Sequence, residues 1–93
     1  MVVIVLLVDI FIPESSSLKD KRMVIKSLKD KLRSRFNISV SETDHNDLWQ
    51  RAELAAVGVS NEDKGLFAML QQALRLIERE RRVQVLDYSI ERY

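Results

Sequence analysis

The chain begins with an almost continuous run of apolar residues, Met1 to Ile12, interrupted only by Asp9. Most of these residues are β-branched or leucine, and such a run favours a buried strand. The run is shorter than the roughly 20 apolar residues of a transmembrane helix, and it has neither the basic start nor the cleavage site of a signal peptide. We therefore expect a core strand and, by default, a cytoplasmic protein.

Two later segments repeat apolar residues at helical spacing, and each follows a serine that could cap a helix. Ser17, with Asp20 three residues on, predicts the start of the first helix after the Pro13–Ser17 turn. Ser60 and Asp63 predict the start of the second helix in the same way. The apolar faces consist of Leu18, Ile25, Leu28, Leu32 and Phe36 in the first helix, and of Leu66, Met69, Leu70, Ala73 and Ile77 in the second.

The remaining segments predict three further strands. Ile38 and Val40 alternate with serines, Trp49–Val59 is strand-like, and Val83–Tyr93 closes the chain with a change of apolar phase that predicts a bulge or an edge. Gly58 predicts a bulge or a close backbone approach. The order β-α-β-β-α-β predicts a single α+β domain over residues 1–93, with a ferredoxin-like fold. Two helices should cover one face of a four-stranded antiparallel sheet, with the first and third strands central.

The first strand is apolar on both of its faces, since Val3, Val5 and Leu7 alternate with Ile4 and Leu6. A two-layer fold covers only one sheet face, so the second apolar row is unusual for an antiparallel sheet. Two interpretations stay open. Long polar side chains of the neighbouring strands could shield this row, or a second copy of the chain could cover it as a homodimer.

Fifteen basic and fourteen acidic residues give a net charge of +1, which argues against a uniformly basic protein that coats nucleic acids. The charge is nevertheless unevenly distributed, because residues 17–36 contain eight basic and two acidic residues. The absence of cysteine excludes disulfides, a thiol nucleophile and a cysteine-based zinc site.

Five cations of the first helix recur at intervals of three and four residues and should form one stripe along it, about 21 Å long at 1.5 Å per residue. Lys21 adds charge beside the stripe. A stripe of this length could contact several phosphates without reading bases. The alternative is a solvated helix face whose lysines extend over the edge of the core. The predicted nucleic-acid contacts are Lys19, Lys21, Arg22, Lys26, Lys29 and Arg33.

The second helix ends in another group of arginines, Arg75, Arg79, Arg81 and Arg82. Glu78 and Glu80 lie among them and can pair with them, so we interpret this segment as a surface of mixed charge.

The segment between the second and third strands is polar and acidic, and Asp44, His45, Asn46 and Asp47 read as a turn. Carboxylates beside a histidine could instead bind a divalent metal, which is the weaker interpretation. Nothing in the sequence pairs a nucleophile with a base, so we predict neither an enzyme nor a cofactor. Trp49 is expected to pack at the base of the hairpin, with base stacking as the alternative.

Three strings in order give the chain a resemblance to the YlxP-like family of small bacterial proteins. They are Ser17–Arg22 (SLKDKR), Phe36–Glu42 (FNISVSE) and Asp47–Ala52 (DLWQRA). The resemblance implies a ferredoxin-like fold and no established enzymatic activity. Members are often encoded among genes for translation initiation and ribosome maturation, which implies an association with RNA or the ribosome. The resemblance implies that the basic positions Lys19, Lys21 and Arg22 contact RNA or the ribosome. It implies no role for Asp47, Trp49, Gln50 and Arg51.

The expected function is therefore that of a cytoplasmic binding protein that associates with RNA or the ribosome through its first helix. The alternative is a protein-interaction module that forms a homodimer through the open sheet face. Neither a membrane partner nor a small-molecule substrate is expected.

Overall fold

The computed structural model describes residues 1–93, and it confirms the predicted order of elements, β-α-β-β-α-β. The elements are β1 (Val2–Phe11), α1 (Leu18–Arg35), β2 (Ser39–Asp44), β3 (Arg51–Ser60), α2 (Asp63–Glu78) and β4 (Gln84–Arg92).

The four strands form one sheet in the order β2-β3-β1-β4, and every neighbouring pair is antiparallel. β1 and β3 are thus central, as predicted. The register between β1 and β4 shifts after Asp9, which pairs with Asp87, while Ile10 pairs with Val85. Leu86 is the extra residue on β4, so the predicted change of phase corresponds to a bulge on an edge strand.

Both helices cover the same face of the sheet, and the core lies between them and the sheet. Alternate residues of β1 point into this core and are at most 1% exposed, whereas Val3, Val5 and Leu7 face the other side and stay partly exposed. The large apolar side chains buried to within 1% are Ile4, Leu6, Val8 and Ile10 of β1, Ile12 after it, Leu54 of β3, Leu28 and Leu32 of α1, and Leu70 and Ile77 of α2.

Gly58 marks a close approach between β3 and α2. A Cβ atom at this position would lie 2.6 Å from Cδ1 of Leu66, a separation that forces a shift in the core. Gly58 pairs with Ile4 in an unbroken register, so the close approach, and not a bulge, explains the glycine.

The two helix starts differ in how well the sequence predicts them. Ser17 caps α1 as expected, because its hydroxyl accepts a hydrogen bond of 3.0 Å from the backbone N–H of Asp20. Ser60, by contrast, is the last residue of β3, where it pairs with Val2. The N-cap of α2 is Glu62, and the Ser60 hydroxyl accepts from the backbone N–H of Glu62 at 3.0 Å. Ser60 therefore shapes the turn before α2 and does not cap the helix.

Lys21 is buried under α1 and joins the helix to the segment between β2 and β3. Its side chain is 1% exposed, and its ammonium Nζ lies 2.9 Å from Oε2 of Glu42. The same nitrogen donates to the carbonyl oxygens of His45 at 2.8 Å, Asn46 at 3.3 Å and Arg51 at 3.2 Å. These four acceptors compensate the ammonium for its loss of water.

The prediction that Lys21 contacts a nucleic acid is wrong, because its ammonium is buried and cannot reach a ligand at the surface. The sequence carried a signal of this role. Lys21 lies four residues before Ile25, seven before Leu28 and eleven before Leu32, so it shares the apolar side of α1 and not the basic stripe.

At the other end of the molecule, Glu80 links α1 to the segment that follows α2. Its carboxylate accepts from Nη2 of Arg82 at 2.9 Å and from Nζ of Lys31, on α1, at 3.2 Å. Its side chain is only 9% exposed. The Arg82 side chain is the main cause that lowers the pKa of Glu80 from 4.5 to about 2, with the Arg82 backbone N–H and Lys31 acting in the same direction against partial burial.

Replacing Lys21 by methionine should lower the free energy of unfolding by about 3 kcal/mol, because Glu42 and three carbonyl groups lose their shared donor. Urea denaturation measures the change. Lys19→Met is the matched control, since Lys19 is exposed and forms no ion pair, and it should change stability by less than about 0.5 kcal/mol. Equal stability of the two variants would contradict the structural role of Lys21.

Replacing Glu80 by glutamine should lower the free energy of unfolding by about 2 kcal/mol near pH 7. The native state holds the pKa of Glu80 below its unfolded value, so this contribution is complete above pH 4.5 and is lost as the pH falls towards about 2. The stability difference between wild type and variant should therefore shrink over that range. Glu78→Gln, at an exposed residue without an ion pair, is the matched control and should change stability by less than about 0.5 kcal/mol. A constant difference at every pH would refute the assignment.

Candidate nucleic-acid interface

Five of the six predicted contacts form a basic stripe on the outer side of α1: Lys19, Arg22, Lys26, Lys29 and Arg33. Four of the five are exposed and Lys29 is half-buried. The stripe lies on the side of α1 that overhangs β2, because Nη2 of Arg33 donates to the carbonyl oxygen of Val40 at 2.8 Å. The structure thus brings these five cations together along one edge of the domain.

Few carboxylates neutralise the basic stripe. Lys26 pairs with Asp30 at 3.0 Å, but both side chains are more than half exposed, so the pair is weak. Lys19, Arg22 and Lys29 have no carboxylate within 4.0 Å.

Asp20, the other acidic residue of α1, is occupied elsewhere. It accepts from the backbone N–H of Ser16 at 3.0 Å and from the Ser16 hydroxyl at 2.8 Å. These bonds lower the pKa of Asp20. The carboxylate therefore stabilises the turn before α1, where an anion is also favoured by the helix dipole, and it leaves the stripe positive.

The segment 45–50 lies beside the first turns of α1 and carries two exposed apolar side chains. Trp49 is 55% exposed and Leu48 is 44% exposed. The expectation that Trp49 packs at the base of the hairpin is therefore wrong. The sequence pattern misled because Trp49 precedes a strand with buried alternate residues, whereas β3 begins only at Arg51.

The acidic side chains next to this segment have local structural roles. Oδ1 of Asp44 accepts from the backbone N–H of His45 at 2.7 Å, and Oε1 of Glu53 accepts from the Thr43 hydroxyl at 2.7 Å. His45 has a positive φ of 62°, which is uncommon for a residue other than glycine and marks the turn after β2. No group of three or more histidine or acidic side chains is arranged to hold a metal ion.

A second basic surface, which the sequence did not predict as a site, lies where the two helices end. It surrounds an open cleft of about 550 Å³. Glu80 is the only acidic residue there, and it is already bonded to Arg82 and Lys31. The arginines that follow residue 74 in the sequence were a signal of this surface. Only the fold shows that Lys31 and Arg35 of α1 also belong to it. The cleft is lined by Lys31, Arg35, Leu76, Arg79, Glu80, Arg81 and Arg82.

The sheet face opposite the helices carries a row of apolar cross-strand pairs. Val3 pairs with Val59, Val5 with Val57, and Leu7 with Ala55. Val59 is 58% exposed and the other members are partly exposed.

Charged side chains border this apolar row at one end. Arg51 pairs with Asp9 through Nη2 and Oδ2 at 2.6 Å, and Asp9 lies between Glu53 and Asp87 in the register of the sheet. The open face therefore has an apolar end and a charged end.

None of the helices has the length and apolar content needed to cross a membrane.

Comparisons with known proteins agree with this fold and with the predicted family. The solution NMR structure of a de novo designed protein with a ferredoxin fold aligns with the whole chain and with 84% of the design, at a TM-score of 0.57 and 15% identity. That likeness shows the fold alone. The uncharacterized protein YlxP of Bacillus subtilis is 33% identical over 70 residues, which cover 75% of this chain and 76% of YlxP. A family model described as a protein of unknown function, DUF503, matches residues 3–90, and the chain therefore belongs to the DUF503 family.

Proposed function

We propose that this protein is a cytoplasmic RNA-binding protein, associated with the ribosome, that contacts phosphates through the basic stripe of α1. The observation that carries the proposal is the stripe itself, in which five cations share one side of a helix and only one of them pairs with a carboxylate. The gene neighbourhood typical of YlxP-like proteins supports the choice of RNA by association only.

The stripe suits contacts to the phosphate backbone. Lysine and arginine side chains neutralise phosphates and release condensed counterions, so each contact adds affinity that weakens with salt. The stripe presents charge along about 21 Å of helix, which is long enough to contact several phosphates. Such contacts orient a protein on RNA without reading sequence.

The net charge of +1 does not oppose this interface. The acidic residues lie mainly outside α1, in the segments that contain Asp44, Asp47, Glu53 and Asp87. An RNA would meet the stripe as a positive surface and would be repelled by the acidic segments around β2, the start of β3 and the end of the sheet near Asp87, which restricts how it can dock.

A binding role fits the cavities better than an enzymatic one. The largest cavity, the cleft at the ends of the helices, contains one apolar residue among seven. Small-molecule sites are mostly apolar, with a few precisely placed polar groups.

Replacing Arg22, Lys26 and Lys29 by glutamate should abolish RNA binding, because three phosphate contacts become repulsive. The probe is a fluorescein-labelled RNA of mixed sequence and about 20 nucleotides, longer than the roughly 4–16 that single-stranded binding folds occupy. Fluorescence anisotropy at salt concentrations between about 50 and 200 mM should show a steep loss of wild-type affinity.

The matched control replaces three other cations by glutamate: Lys64 on α2, and Arg79 and Arg81 after it. All three are exposed and form no ion pair. The control should keep most of the RNA affinity. Circular dichroism establishes that both triple variants are folded. Equal loss in both triple variants, or full binding by the α1 variant, would refute the stripe as the interface.

A second candidate function, self-association through the open sheet face, is favoured by the three apolar pairs between β1 and β3. Antiparallel sheets usually carry polar residues on a solvated face, and a second copy would remove this apolar surface from water.

Under this hypothesis, sedimentation equilibrium should detect a dimer at high protein concentration. The double variant V5E/V57E should be monomeric, because it places two charges in the centre of the apolar row. Gln84→Glu, at the margin of the sheet, should leave the dimer intact. A wild-type protein that stays monomeric at every concentration would rule out the second candidate.

A further inference from the structure

Trp49 is an exposed aromatic side chain on a segment that the fold holds in place. Most tryptophans bury much of their surface, and this one leaves 55% of it in water beside the exposed Leu48. An exposed tryptophan on a mobile loop would be unremarkable. On a fixed segment it presents a flat apolar surface with a defined orientation.

Backbone hydrogen bonds and side-chain contacts fix this segment from several sides. The backbone N–H of Leu48 donates to the carbonyl oxygen of His45 at 3.0 Å, which closes a turn. The backbone N–H of Ile12 donates to the carbonyl oxygen of Gln50 at 2.8 Å, and Nε2 of Gln50 donates to the carbonyl oxygen of Pro13 at 3.0 Å.

The buried ammonium of Lys21 adds the third attachment. It holds the carbonyl groups of His45, Asn46 and Arg51, which lie on both sides of Trp49 in the chain. Because Lys21 lies between Lys19 and Arg22 in α1, this attachment also places the segment at the N-terminal end of the basic stripe. The aromatic side chain and the first cations of the stripe thus occupy the same end of the domain.

We infer that Trp49 stacks on an unpaired base of the RNA whose phosphates follow the basic stripe. The inference rests on the proposed function and narrows its substrate class to single-stranded RNA or to RNA with an unpaired base. An aromatic platform beside a row of cations is the arrangement that binds single strands, since every base has a face that can stack.

The charges around Trp49 favour a base over a phosphate at this point. Asp47 lies in this segment and Asp44 directly precedes it, and both are exposed. These carboxylates repel a phosphate placed directly on the segment, whereas a neutral base can lie on the indole ring while its phosphates extend towards Lys19 and Arg22.

The small size of the apolar surface also favours a base over a protein partner. Only Leu48 and Trp49 are apolar among the residues of the shallow cavity here, which has a volume of about 330 Å³ and is otherwise lined by Asp47, Gln50 and Arg51. A stable protein interface buries roughly 800 Å² on each partner. Two side chains are enough for one base but supply little of such an interface.

Trp49 is the single tryptophan of the chain, so its fluorescence reports on this site alone. Unlabelled single-stranded RNA of about 20 nucleotides should quench the emission of the wild-type protein at the concentrations at which it binds, as direct stacking requires. The same RNA annealed to its complement should cause much less quenching, because its bases are already stacked and paired.

Substitutions separate stacking from simple apolar contact. In anisotropy experiments with labelled single-stranded RNA, Trp49→Ala should weaken binding about 10-fold at constant salt, whereas Trp49→Phe should keep most of the affinity. Leu48→Ala is the matched control at the neighbouring exposed apolar residue and should change binding by less than about threefold. The dependence of affinity on salt should stay unchanged in all three variants, since no phosphate contact is removed.

The outcomes distinguish this inference from the proposed function. If wild-type protein binds RNA through the basic stripe but its tryptophan emission does not change and W49A binds normally, the stacking inference fails and the proposed function stands. If the wild-type protein binds neither RNA probe, both fail. If duplex RNA quenches Trp49 as strongly as the single strand, or if only a higher concentration of the protein itself quenches it, Trp49 contacts something other than an unpaired base and the inference is overturned.

Discussion

The buried ammonium group of Lys21 makes the hydrogen bonds on which the placement of the basic stripe and of Trp49 depends. An ammonium without water is tolerated only where acceptors replace its solvation, and here Glu42 and three backbone carbonyl groups do so together. The helix, the end of β2 and the segment before β3 are therefore held in one arrangement. The basic stripe and the exposed Trp49 owe their relative placement to this one side chain, which itself contributes nothing to the outer surface.

A single helix thus uses its cations for two opposite purposes. Lys21 points into the protein and stabilises it, while Lys19 and Arg22, its close neighbours in the chain, point outward and stay unpaired. Asp20 completes this division of roles by bonding to Ser16 ahead of the helix. The near-neutral total charge of the chain is consequently a poor guide to its partners, because some charged side chains are buried and paired while others are exposed and unpaired.

Much of the fold could be predicted because its signals are local. The alternation in β1, the helical spacing in α1 and α2, and the cap at Ser17 depend on residues close together in the chain, and they led to the observed strand order through general rules of handedness. The predictions that failed concern contacts between distant residues. Ser60 looks like a cap until its pairing with Val2 is known, and Trp49 looks like a core residue until β3 is seen to begin two residues later.

The sequence by itself determined the family, the two-layer fold and the side of α1 on which the basic stripe lies, because these follow from periodicity and from short motifs. Only the tertiary structure showed which groups receive the Lys21 ammonium, since its acceptors lie 21 to 30 residues further along the chain. It also brought Lys31 and Arg35 of α1 to the arginines at the end of α2, and it left Trp49 exposed at the end of the stripe. Burial and pairing depend on which distant segments meet, and local patterns do not record that.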